Sequence, residues 1–195
     1  MRLLSLIVAS SLLNLHSSFS EEAFADENYR DLFSFTEPTN SQQWQAVNDG
    51  VMGGRSVGKF EITDEQTMKF FGELSLKNNG GFASVRTKAA KLNLTQGDQL
   101  VLRVRGDGRK YTFNLYIPTR RIAFSYRVEF ETKKDEWVEV VLPLEKFKAT
   151  SFGRELRNQS LDPATVSGVG ILLGDKKEGP FVLEIDWIKV QSASY

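Results

Sequence analysis

Four arginines and a scatter of carboxylates carry the chemistry this sequence could perform. Arg103 and Arg105 stand two apart in the segment Leu100-Val101-Leu102-Arg103-Val104-Arg105. An extended chain puts both on one face, with Leu100, Leu102 and Val104 on the other. Arg86 closes the segment Phe82-Ala83-Ser84-Val85-Arg86, and Arg109 follows the turn Gly106-Asp107-Gly108. If the strand bearing Arg86 pairs nearby, the four form one basic face. The planar guanidinium fork suits carboxylates, phosphates and aromatic faces. With Asn114, Tyr116 and Tyr126 close in sequence, such a face suits a sugar or a peptide. The plainer alternative is a solvated face with aspartate or glutamate across the strands. Glu184 and Asp186 also share a side, and Asp49 or Asp107 beside them would supply the two carboxylates that glycoside hydrolysis needs. Surface charge, or salt bridges to the arginines, is the structural alternative there. No oxygen-ligand loop with calcium spacing occurs.

Residues 44–59, WQAVNDGVMGGRSVGK, hold Gly50, Gly53, Gly54 and Gly58. Glycine at this density excludes a helix interior, where each costs about 1 kcal/mol against alanine. Trp44, Val47, Val51 and Met52, spaced as buried anchors, exclude a flexible linker. The run therefore reads as a shaped loop whose backbone takes positive φ or passes close to something. Successive N–H groups there could cradle an anion, although no Gly-Lys-Ser/Thr follows as a phosphate loop requires. Otherwise the loop folds over one end of the protein with Asp49 accepting backbone N–H groups. Trp44 is either a plug or a stacking platform. Trp44, Asn48, Asp49 and Arg55 join Arg86, Arg103, Arg105 and Arg109 as candidate binding residues.

What positions them is a chain of strands. The 195 residues carry balanced charge and no cysteine, and His16 is the single histidine. Arg2 followed by an uncharged, mainly apolar run to Leu15, with small-residue sites ending at Ser20 and Ala25, reads as a signal peptide, 1–25. Export to the periplasm or extracellular space is the expectation. Removal of that segment takes away His16, so triads and ordinary zinc sites are excluded. Near-neutral charge favours neither nucleic acid nor an acidic membrane. No membrane span, cofactor or metal is expected. Residues 26–32 read as a flexible lead-in, 33–190 as one domain and 191–195 as a tail.

Alternation of apolar and polar residues recurs in 100–105, 111–117, 124–130, 169–173 and 181–190. Turn residues punctuate it, as in Asn79-Gly80-Gly81 and Gly106-Asp107-Gly108. Nine to eleven short strands with almost no helical period predict an all-β sandwich or jelly roll. Trp137 and Trp187 lie in alternating strands and are expected in the core, Trp187 with Phe181, Leu183 and Ile185. Residues 144–161 break the rhythm, with Phe147, Phe152 and Leu156 as apolar anchors of a long connection.

Asn48-Asp49-Gly50-Val51-Met52-Gly53-Gly54-Arg55-Ser56 and Asn79-Gly80-Gly81-Phe82-Ala83-Ser84-Val85-Arg86 resemble the signature of the complex I intermediate-associated protein 30 family. So do the segment from Leu102 to Arg109, Trp137 with Pro143, and Ile185-Asp186, over nearly all of residues 33–190. The resemblance implies a galactose-binding-like β-sandwich and a chaperone-like assembly role without catalysis, engaging a protein partner. A carbohydrate-binding module for envelope or extracellular glycans is the alternative, and a carboxylate-dependent hydrolase the second.

Overall fold

A computed structural model describes residues 28–118 and 124–193; the leader expected over 1–25 lies outside them. Thirteen strands occur among the described residues. In chain order they are β1 (Tyr29–Ser34), β2 (Trp44–Asn48), β3 (Val57–Ile62), β4 (Met68–Leu74), β5 (Ala83–Thr87), β6 (Gln99–Gly106) and β7 (Lys110–Tyr116). Then follow β8 (Ser125–Glu131), β9 (Trp137–Pro143), β10 (Lys148–Ser151), β11 (Arg154–Glu155), β12 (Gly168–Leu173) and β13 (Gly179–Gln191). The first sheet has the order β3-β4-β13-β6-β9, with β1 also on β13; the second runs β11-β10-β8-β7-β12-β5-β2. The strand pairs within both are antiparallel. This is the expected all-β sandwich. β1 begins at Tyr29, inside the stretch read as lead-in.

Period-two alternation builds the core between the sheets. Phe70, Leu100, Leu102, Val104, Leu183 and Ile185 face inward from the first sheet; Val85, Tyr111, Phe113, Leu115, Val169 and Ile171 face them from the second, all buried. Burying each of the larger side chains contributes about 1.5–3 kcal/mol, so this layer is the main source of stability in a chain with no cysteine.

Two tryptophans depart from expectation. Ile185 pairs with Val104, but the next residue to pair is Trp187, opposite Arg103, so Asp186 is an extra residue in a bulge. The bulge resets the alternation: Ile188 and Val190 turn inward and Trp187 stands half-buried with Lys189 Nζ 4.6 Å from its ring centre. Trp137 pairs with Arg105 and shares its outer face. Arg103 and Arg105 lie over its ring at 4.8 and 4.9 Å.

The glycine-rich run is shorter as a loop than its composition suggests, because residues 44–48 form β2. Trp44 is the plug: it is buried against Phe33 and Phe35, with ring centres 5.2 and 6.1 Å away. A short 3₁₀ turn, Asp49–Met52, ends at Gly53, whose φ of +86° suits glycine. Val51 and Met52 are not buried anchors but stand exposed; a one-turn element cannot bury both sides of itself. The anchor is Asp49, 1% exposed. Its carboxylate accepts the Ser56 N–H at 2.9 Å, the Ser56 hydroxyl at 2.5 Å, and the N–H groups of Gly81 at 2.7 Å and Phe82 at 3.3 Å. A Cβ at Gly54 or Gly80 would collide with that carboxyl. These two glycines serve close approach. Asn48 ties the adjacent turn to β3, donating to the Gly58 carbonyl and accepting its N–H, both at 3.1 Å.

Burial alone would raise the Asp49 pKa; the bonds from Ser56, Gly81 and Phe82 outweigh it and hold the carboxyl below its ordinary value of 3.8. A depressed folded value means that the stabilisation is full above that pH and is lost as pH falls through the folded value. Asp49→Asn, which sets an NH₂ among donors, is expected to cost about 3 kcal/mol in urea unfolding at neutral pH. The gap to the wild type should narrow as pH drops below 3.8. A pH-independent gap would mean that the charge is not what the four donors hold.

Candidate functional site

The structure disperses the residues expected to act together. Trp44, Asn48 and Asp49 hold the fold, as described. Arg55 is exposed beside the turn. Arg103 and Arg105 lie on the outer face of the first sheet, each held by β13: Arg103 donates to Asp186, and Arg105 donates to Glu184 at 2.7 Å. The hydrogen bond that Arg105 donates to Glu184 outweighs burial and raises the Arg105 pKa above its ordinary value. Arg109 grips the loop before β13, donating to both Asp175 oxygens at 3.0 and 2.6 Å and to the carbonyls of Pro180 and Lys177. Burial would raise the Asp175 carboxyl, but the Arg109 bond overrides it and holds it low. Arg86 alone sits on the second sheet. The single basic face is therefore split, because β5 pairs with β12 and β2 and never meets β6. The carboxylates considered for hydrolysis are engaged as well. Glu184 and Asp186 hold arginines, Asp49 holds the turn, and Asp107 accepts the Tyr111 hydroxyl and the Val182 N–H.

What the fold does assemble is a row across the outer face of the second sheet. Register places Gln45, Arg86, Gly170, Asn114, Arg127 and Lys148 opposite one another on successive strands. Glycine at 170 lets its neighbours close over it: a Cβ there would come within 3.0 Å of Arg86 Cγ and of Tyr116 Cε2. Arg86 and Arg127 are set by the same local device. Arg86 Nε donates to the hydroxyl of Ser84 at 3.1 Å, and Arg127 Nε donates to that of Ser125 at 2.9 Å. Each serine lies two residues earlier on the same face. Ser84 is itself fixed by the Val47 carbonyl at 2.6 Å, and Ser125 by Asn114 Oδ1 at 3.1 Å. The Arg86 guanidinium covers the Tyr116 ring at 5.2 Å. Burial depresses the Arg127 pKa; Tyr116 offsets this in part and the like charge of Arg86 adds to it. Burial likewise pushes the Tyr116 phenol up, with Arg86 and Arg127 opposing.

Above the row is a cleft of about 630 Å³ whose lining includes Met52, Phe82, Arg86, Tyr116, Arg127 and Phe152, a size usual for ligand sites. Met52 is 60% exposed and Phe152 80%. Phe152 and Gly153 form the two-residue turn between Ser151 and Arg154, with φ of +46° and +77°. Such turns take asparagine and glycine; a bulky residue there is an outlier costing about 1–3 kcal/mol. Phe152 is thus strained and exposed at once, and no core contact explains it. Sequence reasoning missed Arg127 and misjudged Met52 and Phe152. The repeated Ser84-Val85-Arg86 and Ser125-Tyr126-Arg127, and a Phe-Gly pair inside a turn, were the available signals.

The sequence model of the complex I intermediate-associated protein 30 family matches residues 33–185. The mouse complex I intermediate-associated protein 30, mitochondrial, is 28% identical over 186 residues, covering 84% of this chain and 56% of the mouse protein. The Drosophila melanogaster protein of that name is 28% identical over 183 residues, covering 82% and 62%. The chain thus spans less than two thirds of the length of these relatives. They are named as mitochondrial proteins, which overturns the expectation of export to the periplasm or extracellular space. Among solved structures, a family 11 carbohydrate-binding module from Clostridium thermocellum, in complex with a β-1,3-1,4-mixed-linked tetrasaccharide, aligns with a TM-score of 0.64 at 12% identity. It covers 85% of this chain and 96% of that one. A family 30 module from the same organism aligns at 0.57 and 11%, covering 86% and 99%. At these identities the likeness shows the galactose-binding-like fold alone. Among the described residues no helix is long and apolar enough to cross a membrane. The match over residues 33–185 places this chain in the complex I intermediate-associated protein 30 family.

Proposed function

We propose that this chain is a non-catalytic binding domain that acts in the mitochondrion in association with complex I intermediates, the terms in which its relatives are named, and that it holds a protein partner against the cleft of the second sheet. The observation that carries this reading is Phe152, 80% exposed at positive φ, lining one cleft with Met52, Arg86 and Arg127. Aromatic residues, methionine and arginine are enriched at protein interfaces, and strain of this kind persists where function requires it. The tryptophans and Tyr116 offer no open face for stacking on a sugar, and Phe152 is the exposed ring at the cleft. Trp44 is buried; cations lie over Tyr116, Trp137 and Trp187. No catalytic role is assigned to the carboxylates, since each examined pair is spent on cations or backbone.

Phe152→Asn restores the residue that the turn prefers. It is expected to raise stability by about 1 kcal/mol in chemical denaturation while abolishing partner capture. A photo-crosslinking phenylalanine at position 152 should yield a discrete protein adduct in the cell of origin. Arg103→Ala with Arg105→Ala should leave capture intact and cost about 1 kcal/mol or less per residue, as exposed pairs do. An adduct from Val141 on the first sheet, with none from Phe152, would move the interface and refute this reading.

A further inference from the structure

Among the described residues, five arginines are half-buried: Arg86, Arg103, Arg105, Arg109 and Arg127. Three have a carboxylate, in Asp186, Glu184 and Asp175. Arg86 and Arg127 have none among the described residues, and each makes its hydrogen bond through Nε to a serine. That contact orients the fork and leaves both terminal NH₂ groups of each guanidinium for a ligand. The two share one register row, with Gly170 and Asn114 between them. Gly170 makes room for the Arg86 stem and the Tyr116 ring, and Arg86 and Arg127 both line the same cleft. Elsewhere among the described residues a half-buried guanidinium is matched by a carboxylate; in the cleft the match is missing while the positioning is complete.

We propose that the part of the cleft lined by Arg86 and Arg127 is a carboxylate-binding subsite that takes one glutamate or aspartate side chain from an extended segment of the partner. The proposal rests on the cleft being a protein-binding site. A carboxylate offers two oxygens and about four lone-pair sites, enough for both forks. In an extended segment, residues two apart share a face about 6.8 Å from one another. The partner's signature is therefore an acidic residue with apolar residues two positions to either side, the acid on Arg86 and Arg127 and the apolar side chains on Met52 and Phe152.

The test is fluorescence anisotropy of the full chain with a labelled peptide of three Leu-Ser-Glu-Ser repeats (the Leu-Glu peptide), which sets leucine two positions to either side of glutamate, and a matched peptide of three Leu-Ser-Gln-Ser repeats (the Leu-Gln peptide). The Leu-Glu peptide should bind at least about tenfold tighter and weaken as salt rises. Arg86→Gln and Arg127→Gln should each bring it to the level of the Leu-Gln peptide, with Arg127→Lys in between and Arg103→Gln unchanged. Circular dichroism of each variant confirms folding. Equal binding of the two peptides, or no loss in either glutamine variant, overturns the proposal. Binding of polygalacturonate without the Leu-Glu peptide overturns it in favour of an anionic glycan. If the Phe152 adduct survives Arg86→Gln with Arg127→Gln, the protein-binding reading stands and the carboxylate subsite falls.

Discussion

The fold turns on a buried carboxylate. Asp49 sits where the chain leaves β2 in the second sheet for β3 in the first, and it also accepts two N–H groups at the entry to β5. One charged side chain thereby fastens three segments at the end of the sandwich. A carboxylate buried there would be costly unless its oxygens were satisfied; four donors supply that. The geometry excludes side chains at Gly54 and Gly80, so the signature glycines and the aspartate are one device. Its product is the rigid turn that carries Met52 to the rim of the cleft.

The second theme is charge compensation. On the first sheet, antiparallel register brings Arg105 opposite Glu184, and the β13 bulge brings Asp186 against Arg103. Those arginines are satisfied within the fold and lie over the Trp137 ring. On the second sheet the same register aligns two arginines with a glycine and an amide between them. Two identical serine contacts there fix direction and leave charge unanswered. The difference between the two outer faces is thus a matter of which residue stands opposite, one strand away.

Much of this was legible in the residues. Apolar alternation located the strands, and turn residues bounded them. Asp49 as an acceptor of backbone N–H groups was one of two readings open for the loop, and the ion pairs were the plainer reading of the arginines on the first sheet. The tryptophans were not legible. Trp187 changes face because a bulge absorbs Asp186, and a bulge leaves no mark on a period-two pattern read from one strand. Phe152 was not legible either: an isolated phenylalanine in a polar connection reads as an anchor until the turn around it is known to hold positive φ.

Local chemistry and periodicity alone thus specified the sandwich class and most of the inward set of side chains, because alternation and turn propensity act over a few neighbouring residues, while the glycine and arginine motifs signalled the family by resemblance. Which arginines meet a partner inside the fold was decided by strand order. Arg86 and Arg127 are 41 positions apart in the chain and belong to strands joined only through β12 and β7. Register across three strand interfaces, none of them readable from a single chain segment, is what brings them to one cleft with no carboxylate among the described residues to pair with either.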